Sequence, residues 1–140
     1  MTPRRRARMA AIQALFELDF QSRPSQEVIE ERLDETSLSA ENREFARALV
    51  QGVLHDREDI DARIAAAAPQ WPIDQIAHVD KNVLRLAIYE LMSEDSSTPA
   101  KVAISEAIEL ARLLGSAASP KFVNGVLGAV VGQEPAGKGR

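Results

Sequence analysis

The sequence predicts an all-α fold of about seven helices in two packed helical bundles. Three observations carry this expectation. Ala, Leu, Glu, Arg and Ile dominate, apolar residues recur with a period near 3.6, and the two-residue alternation of half-buried strands is absent. Proline and small polar residues punctuate the periodic stretches and set their ends.

The elements follow in order. Thr2-Pro3 supplies an N-cap and a proline at the first helical position, and the stripe Met9, Ile12, Phe16, Phe20 carries the first helix. QSRPS ends it, and Ser25 caps a short second helix with Val28, Ile29 and Leu33. After TSLS, Ser39 caps a long third helix whose stripe is Phe45, Leu49, Val53, Ile60 and Ile64. Asp56, Arg57, Glu58, Asp59 and Asp61 fall largely on its solvated side. In APQWP, residues 68–72, two prolines cannot continue a helix. The turn IDQIA leads to a helix from about Val79 to Met92, and SEDSST forms a polar loop. Thr98-Pro99 repeats the cap-plus-proline start, and Gly115 offers a left-handed stop. Ser119-Pro120 opens the last helix, in which Gly125, Gly128 and Gly132 are expected to let a neighbouring helix approach closely. The tail, about 133–140, reads as disordered. The expected organisation is a single domain, residues 1–140, with an N-terminal subdomain of about 3–67 and a C-terminal one of about 73–131 sharing one core.

Composition narrows the chemistry. The chain has no cysteine, so disulfides, thiolate metal sites and cysteine nucleophiles are excluded. No apolar run approaches 18 residues, so no membrane span is expected. The charged start lacks the apolar stretch and cleavage site of a signal peptide, and a cytoplasmic protein is expected. His55 and His78 are the only histidines, they lie far apart in sequence, and neither has a second histidine one helical turn away. The DREDID run at 56–61 lacks the glycine and closing glutamate of a calcium loop. The serines sit mostly at caps and turns, and the late glycines follow no strand, so they are no dinucleotide fingerprint. No catalytic site, metal or cofactor is expected.

The arginines at the start are the feature that asks for a partner. The chain carries 17 Lys and Arg against 21 Asp and Glu, a net charge of −4. Setting Arg4, Arg5, Arg6 and Arg8 aside leaves 13 cations against 21 acids, a net −8. A positive spot on a negative body suggests one placed contact with an anion, where a uniformly basic surface would suggest loose nucleic-acid binding. Cations at a helix N-terminus oppose the macrodipole and repel one another, at roughly a few tenths to 1 kcal/mol per charge. On a helical wheel the four scatter, so the first turns are expected to project past the core or to fray. Binding single-stranded nucleic acid also uses aromatic faces. Of the six aromatic residues, Phe20 and Phe45 fit core stripes, while Phe16 and Phe122, the latter next to Lys121, are the candidate stacking partners.

Four stretches carry a resemblance: RRRARMAAIQALFEL, VDKNVLRLAIYEL, PAKVAISEAIELARLLG and SPKFVNGVL. In order and spacing, over about residues 3–130, they resemble the NusB family of bacterial transcription antitermination factors. The resemblance implies an all-α fold of two bundles, no enzymatic activity, and binding to the single-stranded boxA element of ribosomal RNA leader transcripts. It implies a partner, NusE, a small-subunit ribosomal protein, with which the factor joins an RNA polymerase antitermination complex. Carried over by position, Arg4, Arg5, Arg6 and Arg8 match the arginine-rich motif, and Phe16 an RNA-facing aromatic. Lys121 and Phe122 match the KF of the RNA-binding region, and Asp74 and Asp80 fall where acidic residues face the partner. The acidic remainder suits a strongly basic ribosomal protein, because opposite potentials steer association. The chain departs from the family pattern at Ala100, Ala118, Pro120 and Gly128, where a Tyr, an acid, a His and an Asp are frequent.

Two rival readings remain at the level of sequence. One is the RNA-recognition domain fused to some RNA methyltransferases, for which this chain lacks room for a methyltransferase and a cysteine nucleophile. The other is a helical protein–protein interaction module, with a homodimer left open, whose arginines are a nonfunctional basic tail.

Overall fold

The computed structural model describes residues 1–133 and contains seven α-helices among them, with no strand. The expected disordered tail lies, beyond Gln133, outside the described residues. The chain divides into two compact units, one of residues Met1–His55 and the other beginning at Asp56.

The first unit holds α1 (Pro3–Leu18), α2 (Ser25–Asp34) and α3 (Ala40–His55). Thr2 caps α1 as expected: its hydroxyl accepts from the Arg5 N–H at 3.1 Å, and Pro3 occupies the first helical position. The buried face of α1 is built mainly from small residues. Ala7, Ala10, Ala11 and Ala14 lie against α2 and α3 beside Ile12 and Leu15. Phe16 and Phe20, expected on that buried stripe, are instead 38% and 61% exposed. Phe20 lies past the last helical residue, Leu18, so the helical period no longer governs where it points. Val28, Ile29 and Leu33 of α2, with Leu49, Val50 and Val53 of α3, complete this core. Ser39 caps α3 by accepting from the Asn42 N–H at 3.2 Å.

The expected long third helix is two helices. It ends at His55, and α4 (Arg57–Ala67) starts after Asp56, whose φ of −99° and ψ of 12° leave the helical region. The apolar stripe continues in register as Ile60 and Ile64, which conceals the break from a periodicity argument.

The second unit holds α4, a 3-10 turn (Ile73–Gln75), α5 (His78–Met92), α6 (Ala100–Leu114) and α7 (Ser119–Gln133). α5 is its centre. It contacts α4, α6 and α7, and every residue from Asp80 to Ile88 is buried, whichever way it points from the axis. Such a helix is hydrophobic nearly all round or must pair its polar groups. Arg85 shows the pairing: it is 3% exposed and donates to both carboxylate oxygens of Asp61 on α4, at 2.8 and 2.9 Å, and to Asn82 Oδ1 at 3.2 Å.

Two glycine expectations are corrected. Gly115 ends α6 with φ −100° and ψ −159°, not left-handed. A Cβ there would sit 2.4 Å from Ser119 Oγ and 2.9 Å from the Ala111 carbonyl oxygen, so close approach selects the glycine. Gly125, Gly128 and Gly132 face open space, with no neighbour a Cβ would meet within 4 Å. They therefore admit no close helix approach.

Candidate nucleic-acid interface

The arginine end is ordered structure. All four arginines lie within α1, and Arg4, Arg5 and Arg6 are half-buried while Arg8 is buried. This corrects the expectation of projecting or frayed turns. The cause is on α3 and the loop before it. Arg4 and Arg8, one turn apart, both place their guanidinium over the Phe45 ring, at 3.8 and 5.1 Å from its centroid. Arg4 Nη1 donates to Asn42 Oδ1 at 2.8 Å. Arg6 Nη1 donates to the Ser37 carbonyl at 2.8 Å and to Thr36 Oγ1 at 3.1 Å.

The partners of Arg4 and Arg6 are all neutral. A ring face, an amide oxygen, a hydroxyl and a backbone carbonyl orient a cation without cancelling its charge. The other arginines of the first unit behave differently. Arg23 pairs with Glu17, Glu27 and Glu31, and Arg32 with Glu17 and Glu35. Arg43 pairs with Glu30 and Asp34, and Arg47 with Glu30 and Glu44. The hydrogen bond from Arg47 holds the Glu30 carboxyl below its usual range, and that from Arg23 does the same for Glu31. Charge within this unit is thus sorted. Arginines from 23 to 47 are neutralised by carboxylates, and Arg4 and Arg6 present uncancelled charge at a helix N-terminus that is itself positive.

At the far end of α1, Phe16 and Phe20 form a tilted pair with centroids 5.2 Å apart and planes at 55°. Phe16 keeps the exposed position its proposed role requires, and Phe20 adds a second exposed face.

In the second unit, Lys121 and Phe122 lie in the first turn of α7. They line a groove of about 480 Å³ together with Trp71, Ile76, Asp80 and Ala118. Trp71 is 49% exposed and meets Phe122 edge-to-face, with centroids 6.2 Å apart. Lys121 is exposed and forms no ion pair among the described residues. The two acidic residues separate. Asp74 is exposed on the 3-10 turn, while Asp80, in the first turn of α5, is 9% exposed with its Oδ1 buried and unpartnered. Among the described residues, no group of three or more His, Cys, Asp or Glu is placed to hold a metal ion. No described helix is long and apolar enough to cross a membrane.

The NusB family model matches residues 5–132, from inside the arginine cluster to the end of α7. The chain belongs to the NusB family. It is 48% identical over 129 residues to the transcription antitermination protein NusB of Chloroflexus aggregans, covering 91% of this chain and 86% of that one. With the NusB of Roseiflexus castenholzii it shares 46% over 129 residues, 91% of each chain. Among solved structures it resembles NusB of T. maritima, with a TM-score of 0.87 and 39% identity over 97% of this chain and 95% of that one. It also resembles a chain in a crystal structure of antitermination factors NusB and NusE with dsRNA. There the TM-score is 0.83 and the identity 27%, over 96% of this chain and 99% of that one.

Within this NusB-family chain, sequence reasoning missed three contributors. Phe45 fits a core stripe in the sequence, yet it is the platform on which Arg4 and Arg8 rest. The signal was present: an aromatic on α3 facing an i, i+4 arginine pair. Phe20 fits the core stripe only for a helix that continues past Leu18, where α1 ends. Trp71 sits between two prolines, where no periodicity indicates its direction.

Proposed function

We propose that this NusB-family protein is an RNA-binding transcription antitermination factor that binds the boxA element of ribosomal RNA leader transcripts together with NusE. The pair then joins an RNA polymerase antitermination complex in the cytoplasm, and the protein acts by binding, not by catalysis. The observation that carries the reading is the sorting of charge in the first unit, where Arg4 and Arg6 are oriented by neutral groups while the later arginines are cancelled. Oriented, uncancelled cations are what phosphates need. Family membership supplies the biological setting, and the related NusB seen with NusE and dsRNA supports both partners.

In this reading Arg4, Arg5, Arg6 and Lys121 face phosphates, and Phe16 and Phe122 offer ring faces to bases. Arg8, at 3% exposure, acts from beneath by holding Phe45 and the helix start in place. Exposed Asp74 is available to a basic protein partner, and Asp80 belongs to the same acidic pair by sequence, with a far more enclosed carboxylate. The test is fluorescence anisotropy with labelled boxA-type single-stranded RNA and a scrambled control, with and without NusE. Preference for the boxA-type RNA, strengthened by NusE, supports the reading. Equal affinity for both RNAs in every condition, with NusE still bound, would leave a protein-interaction module.

A further inference from the structure

Arg4 and Arg6 are each held by a single nitrogen. Arg4 Nη1 donates to Asn42 Oδ1 at 2.8 Å, and Arg6 Nη1 donates to the Ser37 carbonyl at 2.8 Å and to Thr36 Oγ1 at 3.1 Å. Among the described residues, Nε and Nη2 of both guanidiniums have no hydrogen-bond partner. Those two donors form an edge that matches two oxygens of one phosphate. The residue that holds Arg4 is also out of keeping with its place on α3. Ser39 caps that helix through the Asn42 N–H, and Asn42 is the third residue of its first turn. Glu or Gln at this position completes a capping box, and the helix dipole favours a carboxylate there. With the Arg4 guanidinium 2.8 Å from the side chain, a carboxylate would also form an ion pair, the arrangement found at Arg23, Arg43 and Arg47. The sequence places a neutral amide instead. A local preference set aside with no gain in stability marks a functional position.

We propose that Asn42 and Thr36 are positioning residues for RNA binding, and that their neutrality is part of the role. Each fixes a guanidinium through Nη1 and leaves its charge and its Nε–Nη2 edge to one phosphate. This role rests on the RNA-binding reading above and adds to it two residues that act through Arg4 and Arg6, with a side-on contact for each arginine. A lysine at position 4 or 6 would keep the charge, but its single ammonium could not be held on one side and grip two oxygens on the other. A carboxylate at position 36 or 42 would hold the arginine at least as firmly and cancel the charge that the phosphate meets. At Asn42, fold stability and RNA affinity are therefore set against each other: the acid favours the helix and the ion pair, and the amide favours RNA.

The test follows full-length variants by anisotropy of labelled boxA-type RNA at several salt concentrations, with NusE present, and by urea denaturation. Asn42→Asp should be at least as stable as the parent and bind the RNA about tenfold more weakly at low salt, the scale of one charge-assisted hydrogen bond. Its slope of log K against log[salt] should be shallower by about 0.7, one single-strand phosphate contact. Asn42→Ala should lose several-fold in affinity at an unchanged slope, because the cation remains and is no longer fixed. Thr36→Val should behave like Asn42→Ala, while Thr36→Ser, which keeps the hydroxyl, should bind like the parent. Arg4→Lys should keep the slope and lose several-fold in affinity. Parent-like affinity and slope in Asn42→Asp overturn the proposal and leave the RNA reading standing. A loss of affinity in Asn42→Asp that accompanies a loss of stability makes Asn42 a structural residue and overturns it too. Equal affinity of Thr36→Val and Thr36→Ser overturns the role of Thr36. Failure of the parent to bind the RNA at all, with and without NusE, overturns the RNA reading itself and the positioning role with it.

Discussion

Phe45→Leu isolates what holds the arginine end in place. Leucine keeps an apolar side chain between α1 and α3 and removes the ring face. Two guanidinium contacts are lost, at 3.8 and 5.1 Å from the centroid. The nearer contact, on half-buried Arg4, is worth about 1 kcal/mol and the farther about 0.5 kcal/mol. Stability should therefore fall by about 1.5 kcal/mol, with the smaller apolar area of leucine adding a few tenths more. Urea denaturation measures the loss. The RNA arm is more telling. Every cation remains, so counterion release is unchanged and the dependence of log K on log[salt] should keep its slope. Affinity should nonetheless drop several-fold at every salt concentration, because the arginines must be ordered on binding. A stability change below about 0.3 kcal/mol, or a slope as shallow as that of an arginine deletion, would refute the view that Phe45 positions charge without neutralising it.

Other expectations follow from the same contacts. Asp61→Ala should destabilise by about 3 kcal/mol in urea denaturation, since it removes the carboxylate that pairs the buried Arg85 guanidinium. Gly115→Ala should cost about 1–3 kcal/mol, because its Cβ meets Ser119 and the Ala111 carbonyl. Gly125→Ala and Gly128→Ala should each stabilise by about 0.5–1 kcal/mol, since both face open space within a helix. The depressed Glu30 carboxyl contributes stability that is present above its unfolded pKa, near the usual 4.5, and lost as pH falls through the lower folded value. Glu30→Gln should flatten the stability–pH curve in that acidic window, and an unchanged curve would show that the Arg47 pair adds nothing to folding.

Much of the fold was legible because the helix signals are local. Thr2 and Ser39 cap the helices they precede, and the proline pair at 69–72 stops α4 as steric exclusion requires. What escaped was decided between elements. The break at Asp56 leaves the apolar stripe in register on both sides, so periodicity runs straight across it. Gly115 is selected by a contact with Ser119 four residues on, not by its own dihedrals. Arg4 and Arg8 share a face by their i, i+4 spacing, but that this face meets an aromatic ring is decided by Phe45 on another helix. The site was half legible for the same reason. Lys121 and Phe122 are visible in a motif, whereas Trp71 joins them only once the groove is formed.

In the proposed function four cations meet single-stranded phosphates: Arg4 and Arg6, oriented by neutral groups, with Arg5 and Lys121. Its most direct test is the salt dependence of boxA-type RNA binding with NusE present, for the parent and for Arg4→Gln/Arg5→Gln/Arg6→Gln. At roughly −0.7 per contact, the slope of log K against log[salt] attributable to this chain is about −2.8. The triple variant should make the total slope shallower by about 2 while remaining folded and bound to NusE. An unchanged slope in that variant would contradict it, and would place the RNA elsewhere.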